Sequence, residues 1–152
     1  MPSLLIFIPY IYTMSGKKIL LHTCCAPCAA PCLERLRSSG HTPIMYFSNS
    51  NIESREEFCK RLQEVERLAL ATHTELLVDP YEHGCWLDRT RGLEAAPERG
   101  PRCLKCFRYS LERTARQAGP LPFGTTLTVS PHKKSSDIFA LGADLPGFLR
   151  LD

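Results

Sequence analysis

Lys18-Ile19-Leu20-Leu21-His22-Thr23-Cys24-Cys25-Ala26-Pro27-Cys28 is the stretch on which the fold turns. Lys18 to His22 is a short apolar run, the pattern of a buried strand, and it ends at a cluster of cysteines. From Cys28 to Arg37 the period changes: Cys32, Leu33 and Leu36 recur at helical spacing and stop at Ser38-Ser39-Gly40. Working outward, Pro43 to Phe47 reads as a second strand, followed by the turn formers Ser48-Asn49-Ser50-Asn51. Ser54-Arg55-Glu56-Glu57 is a capping box. The helix it opens carries Phe58, Leu62, Val65 and Ala69 on one face, with Cys59 beside them as an expected core thiol. Glu75 to Val78 is a third strand, stopped by Asp79-Pro80. Tyr81 to Pro101 shows no clear period and is expected to be a long functional loop. Arg102 to Ala118 is helical, with Cys106, Phe107, Leu111, Thr114 and Ala118 inward. Thr125 to Val129 reads as a fourth strand, ending in the loop Ser130-Pro131-His132-Lys133, and a last helix starts near Ser135.

Strand and helix in alternation predict an α/β fold, a mostly parallel sheet flanked by helices. In such Rossmann-like layers, ligands collect beyond the carboxyl ends of the strands. The Cys24 cluster, the Asn51 turn and the Ser130 loop all fall at that edge, so a metal site is expected there. No Gly-rich phosphate loop of the GxGxxG or Walker type is present.

A chain of 152 residues makes one domain, expected over 17–152, and buries roughly two thirds of its unfolded surface without needing disulfides. Eight cysteines, six of them in two tight clusters, then favour metal or redox chemistry in a reducing compartment over structural staples. Pro2 to Tyr12 is apolar but too short to span a bilayer, and it lacks the marks of a signal peptide. Met14 is an alternative start, and residues 1–16 are expected to be an N-terminal extension outside the domain. The expected location is cytoplasmic, with no membrane partner. The net charge of +3 is unevenly placed: basic residues dominate between Arg89 and Arg116, which would suit a phosphate-backbone surface or a solvated helix face.

Cys24-Cys25 and Cys103-Leu104-Lys105-Cys106 lie about eighty residues apart, two short bites that a fold can bring together as a four-thiolate site. Adjacent cysteines cannot readily form an unstrained disulfide, but in a loop their side chains can diverge. Cys103 and Cys106 open a helix, where free amides and a partial positive charge lower thiolate pKa and favour an anionic group. Ligand type suits zinc or an iron–sulfur cluster about equally. Cys28 completes Cys-Ala-Pro-Cys with Cys25, which fits a thioredoxin-like pair, an extra metal ligand or a plain helix-start thiol. Cys32 and Cys85 read as structural, and His22 as a buried, hydrogen-bonded histidine. His132 and Lys133 are placed to contact a phosphate or a substrate hydroxyl. Tyr81 and Trp86 are candidates to stack a base or, equally, to pack in the core.

Several of these segments together resemble one family. Leu20-Leu21-His22-Thr23-Cys24-Cys25-Ala26-Pro27-Cys28, Ser50-Asn51-Ile52, Glu56-Glu57-Phe58 and Arg61-Leu62 are similar to the QueH-type epoxyqueuosine reductases. So are Pro97-Glu98-Arg99-Gly100, Arg102-Cys103-Leu104-Lys105-Cys106-Phe107 and Thr125-Thr126-Leu127-Thr128-Val129-Ser130-Pro131-His132-Lys133, in the family's order and spacing. The resemblance implies a nucleotide-hydrolase-like layer and reduction of epoxyqueuosine to queuosine at the wobble position of a tRNA anticodon. It implies a [4Fe–4S] cluster on Cys24, Cys25, Cys103 and Cys106, with an additional iron ion on Cys28. Cys28, His132 and Lys133 are the candidate catalytic side chains. The expected partners are the tRNA anticodon stem-loop and an unidentified electron donor. The family pattern continues to a Tyr-Arg-Gln run and a Cys-Gly-Cys pair, which do not occur before Asp152, so a chain truncated at that end is expected. Two readings from other classes stand beside this one: a zinc-stabilised nucleic-acid-binding module, and a thiol oxidoreductase using Cys25 and Cys28.

Overall fold

Strands β1 (Lys17–His22), β2 (His41–Phe47), β3 (Glu75–Val78) and β4 (Phe123–Thr125) form a sheet in the order β3-β2-β1-β4. Every pairing is parallel. The computed structural model describes residues 17–131 and 133–151; the expected extension over 1–16 and the candidate His132 lie outside them.

Because successive side chains of a strand point to opposite faces, the apolar run of β1 serves two cores. Ile19 and Leu21 join Met45 and Phe47 of β2 on one face. That face is covered by α1 (Ala26–Ser38) through Leu33 and Leu36, and by α2 (Arg55–Thr72) through Phe58, Val65 and Ala69. Leu20, Ile44, Tyr46 and Phe123 occupy the other face, under Leu111 and Ala118 of α4 (Pro101–Ala118) and Ile138 of α5 (Ser135–Gly142). Each fully buried side chain of this size contributes about 1.5–3 kcal/mol. The result is the helix–sheet–helix layering expected of alternating elements. Ser54 accepts from the Glu57 amide at 3.1 Å, as its capping box requires. No described helix is long and apolar enough to cross a membrane.

Three local expectations are corrected. The stretch expected as a strand over Thr125–Val129 is β4 only to Thr125, then a 3₁₀ turn over Thr126–Val129. The β-branched residues suggest a strand, but the Thr125 hydroxyl accepts from the Leu127 amide at 3.1 Å and turns the chain. The expected loop contains a helix, α3 (His83–Arg89), whose period is too short to register. It is anchored by tertiary packing of Trp86, which is buried rather than free to stack a base. Tyr81 likewise is half-buried: it packs against Phe58 and His83, and its hydroxyl donates to the Ile52 carbonyl. Cys59 is exposed rather than packed, because it falls on the outer face of its helix; Cys85 is exposed as well.

Asp79, just past β3, ties the sheet edge to α4. Arg113 donates to its two oxygens at 2.6 and 2.9 Å, and the Ser48 hydroxyl donates to it at 2.8 Å. Burial pushes the Asp79 carboxyl up, but the hydrogen bonds from Arg113 and Ser48 outweigh it and hold the group below the usual carboxylate value. Breaking a mostly buried pair strands the remaining charge, so Arg113→Ala is expected to cost about 3 kcal/mol in urea unfolding. Because the folded-state pKa is depressed, this stabilisation is fully present above the ordinary carboxylate value and is lost as pH falls from there through the lower folded-state value. The variant should therefore lose less stability than the parent between pH 5 and pH 3, measured as urea midpoint against pH.

Candidate metal centre

β1 and β4 are neighbours although β1 also pairs with β2, so the chain crosses to opposite sides of the sheet between them. That is a switch point, and the crevice lies beyond His22 and Thr125, which are partners in register. His22 itself is structural. Its Nε2–H donates to the Ser48 carbonyl at 3.0 Å, and its Nδ1 accepts from the Thr125 hydroxyl at 2.9 Å. Burial lowers its pKa to about 4, so it is neutral at pH 7 and locks the ends of three strands together.

The first cysteines follow at once. The Cys24 amide donates to the Thr126 hydroxyl at 3.0 Å, and that hydroxyl donates back to the Cys24 sulfur at 3.1 Å. Cys25 is the N-cap of α1, and Cys28 sits in its first turn. The sulfurs of Cys24, Cys25 and Cys28 all lie within 4.8 Å of one another. Three thiols so close cannot all ionise without a cation. The hydrogen bond from Cys24 is the largest influence on Cys28 and, with the nearby Lys133 charge, holds its thiol below the ordinary value. Its bond with Cys24 and its burial push Cys25 up. Cys32, one turn further, is buried in the core and pushed up to about 11 by that burial, so it stands apart from the site.

The three sulfurs open into a cavity of about 200 Å³, also lined by Cys106, Asn51 and Lys133. Cys103 lines a neighbouring cavity of about 140 Å³, which shares Phe107 and Lys133 with the first. Both of these cysteines open α4 behind Gly100, whose backbone lies so close to Pro97 that an added Cβ would meet the Pro97 carbonyl at 2.8 Å. The structure thus gathers Cys24, Cys25 and Cys28 tightly, puts Cys106 on the same wall and sets Cys103 one turn away. All eight cysteines are free thiols.

The basic stretch is less open than its composition suggests. Arg89 pairs with Glu112 at 2.7 Å, Arg91 pairs with Asp88, Arg108 reaches Glu112 and Asp144 at 2.8 and 2.6 Å, and Arg113 holds Asp79. These arginines each have a carboxylate partner within the chain, Arg89 and Arg91 in exposed pairs, while Lys105 and Arg116 are exposed.

Such an arrangement places three cysteines that could hold a metal ion at the switch point of a parallel α/β sheet, flanked by two helix N-termini. The family described as "Epoxyqueuosine reductase QueH" matches residues 19–148, and the chain belongs to that family. It is 36% identical over 136 residues to an epoxyqueuosine reductase QueH of Streptococcus pyogenes serotype M1, covering 84% of this chain and 53% of the relative. Identity is also 36% to that of Histophilus somni over 129 residues, with 83% and 53% covered. For Helicobacter pylori it is 33% over 132 residues, with 84% and 36% covered. The chain spans about half the length of the first two of these relatives.

Sequence reasoning assigned no role to Thr126 or Asn49. Asn49 donates to the Thr23 carbonyl at 2.9 Å and braces the loop that precedes Cys24. The only signal was an adjacent threonine pair at a strand end, which is common elsewhere. Thr126→Val should leave the Cys24 amide unpaired and remove a donor from its sulfur. The expected result is a loss of about 1–2 kcal/mol in stability and about tenfold weaker metal binding in a chelator competition.

Proposed function

We propose that residues 17–152 form the cluster-binding domain of a cytoplasmic epoxyqueuosine reductase, acting on the wobble nucleoside of a tRNA anticodon stem-loop. In this reading Cys24, Cys25, Cys103 and Cys106 hold a [4Fe–4S] cluster, and Cys28 holds a further iron ion beside it. The observation that carries the reading is the convergence of the Cys24, Cys25 and Cys28 sulfurs within 4.8 Å, in a cavity whose wall includes Cys106. The donor set fits the group: several thiols, too crowded to ionise alone, with a threonine hydroxyl already on one sulfur and helix amides around the rest. Family membership supports the same chemistry, and unpaired thiols throughout support a reducing compartment.

The reaction consumes two electrons, from a cellular reductant, and two protons. Both epoxide C–O bonds break, the alkene forms, and the oxygen leaves as water. When bound, the cluster supplies electrons and Lewis acidity. The chain's own residues do the rest. Lys133, on the wall of both cavities, brings a cation and a proton to the departing oxygen. Cys28, the most readily ionised of the three clustered thiols, would hold the further iron ion. His132 is a further candidate for contact with substrate. An anticodon base is already unstacked, so the cavity can receive it without melting a duplex. Exposed Lys105 and Arg116 contribute phosphate contacts.

The test is anaerobic turnover with dithionite on a stem-loop carrying epoxyqueuosine, read by mass analysis of its nucleosides, with the Streptococcus pyogenes relative as positive control. Conversion is expected, abolished by Cys103→Ser or Cys106→Ser and slowed about a hundredfold by Lys133→Ala. Full activity in Cys103→Ser, or no conversion by iron-loaded protein while the relative turns over, would refute the assignment.

A further inference from the structure

The chain has a single tryptophan, and it is placed where an ordinary core aromatic would not need to be. Trp86 is 6% exposed, and its indole Nε1 is buried with no hydrogen-bond partner among the described residues. Buried tryptophans normally satisfy this N–H, and leaving it unpaired is costly. The ring is held firmly. His83 stacks on it with centroids 5.4 Å apart, and the Arg102 guanidinium carbon lies 5.2 Å from its centre. Arg102 immediately precedes Cys103, so the indole rests against the first turn of α4, where both α4 cysteines sit.

We propose that Trp86 is a positioning residue of the metal centre, whose indole Nε1–H donates to the Cys106 sulfur once that sulfur is a metal-bound thiolate. The inference rests on the reading of Cys106 as a ligand. Arg102, which lies over the indole, and Cys106 are four residues apart on one face of α4, so the Cys106 sulfur lies on the side of the helix that Trp86 covers. A neutral thiol is a weak acceptor, so in that form Cys106 satisfies the indole poorly. Metal binding requires the thiolate, a far better acceptor, so loading the centre supplies the partner that the indole lacks. The Arg102 cation over the ring draws electron density from the indole and makes its N–H a stronger donor. Hydrogen bonds to cluster sulfurs are one of the means by which a protein sets reduction potential.

Since one tryptophan gives one indole signal, NMR of ¹⁵N-labelled wild-type protein reads the bond directly, with Cd²⁺ as a diamagnetic probe. Saturating Cd²⁺ should move the indole proton downfield and slow its exchange with solvent; Cys106→Ser should abolish both changes. Trp86→Phe should weaken Cd²⁺ binding about tenfold and shift the potential of the iron-loaded protein to more negative values. An indole signal that ignores bound Cd²⁺ overturns the proposal, as does an unchanged potential in a folded, iron-loaded Trp86→Phe. If that variant does not fold, the wild-type indole signal decides alone. A Cd²⁺-dependent indole shift in a chain that never assembles iron and sulfide would sink the cluster reading but uphold the Trp86 bond. An unmoved indole in a chain that assembles the cluster would do the reverse.

Discussion

The pairing of β1 with β4 is the constraint on which the site depends. It puts Thr125 and Thr126 beside His22 and Cys24, residues about a hundred positions away in the chain. His22 is buried neutral between the two strand ends, and the Thr126 hydroxyl both receives the Cys24 amide and meets its sulfur. With those ends fixed, α1 begins at Ala26 with Cys25 as its cap, and α4 delivers its own cysteines from the opposite layer. One helix lies on each face of the sheet, and both aim their N-termini at the same edge. A parallel sheet thereby supplies two positively polarised helix ends to one cavity, which suits an anionic centre.

Charge is distributed in keeping with this. Two of the four arginines of α4, Arg108 and Arg113, pair with carboxylates, and the pair of Arg113 with Asp79 anchors the helix to the end of β3. Lys133 stands on the wall that both cavities share. The thiols of Cys24, Cys25 and Cys28 are mutually inhibiting acids until a metal joins them. The same crowding that makes them poor independent nucleophiles makes them a chelating set.

Much of this was legible in the chain because it follows local rules. The apolar run at Lys18–His22, the capping box at Ser54 and the helical spacing after Cys28 each declare their element without reference to anything distant. The Cys24-Cys25-Ala26-Pro27-Cys28 cluster announced chemistry through residue type alone. What escaped detection depended on contacts between remote segments. Trp86 anchors a seven-residue helix too short to show a period, and its burial comes from His83 and Arg102. Thr128 and Val129 look like strand residues, but the Thr125 side chain competes for the backbone and turns it. Cys59 lies beside an apolar stripe yet faces solvent, because a helix rotates by about 100° per residue and adjacent positions do not share a face.

The central claim is that these thiols hold a polynuclear iron–sulfur centre, and metal content after strictly anaerobic purification tests it most directly. Iron, acid-labile sulfide and zinc per chain would be measured alongside the visible spectrum. The account predicts at least four irons and four sulfides per chain, the content of a [4Fe–4S] cluster, with a broad brown absorption that dithionite bleaches. One zinc per chain with no sulfide, and no cluster on anaerobic reconstitution with iron and sulfide, would contradict it.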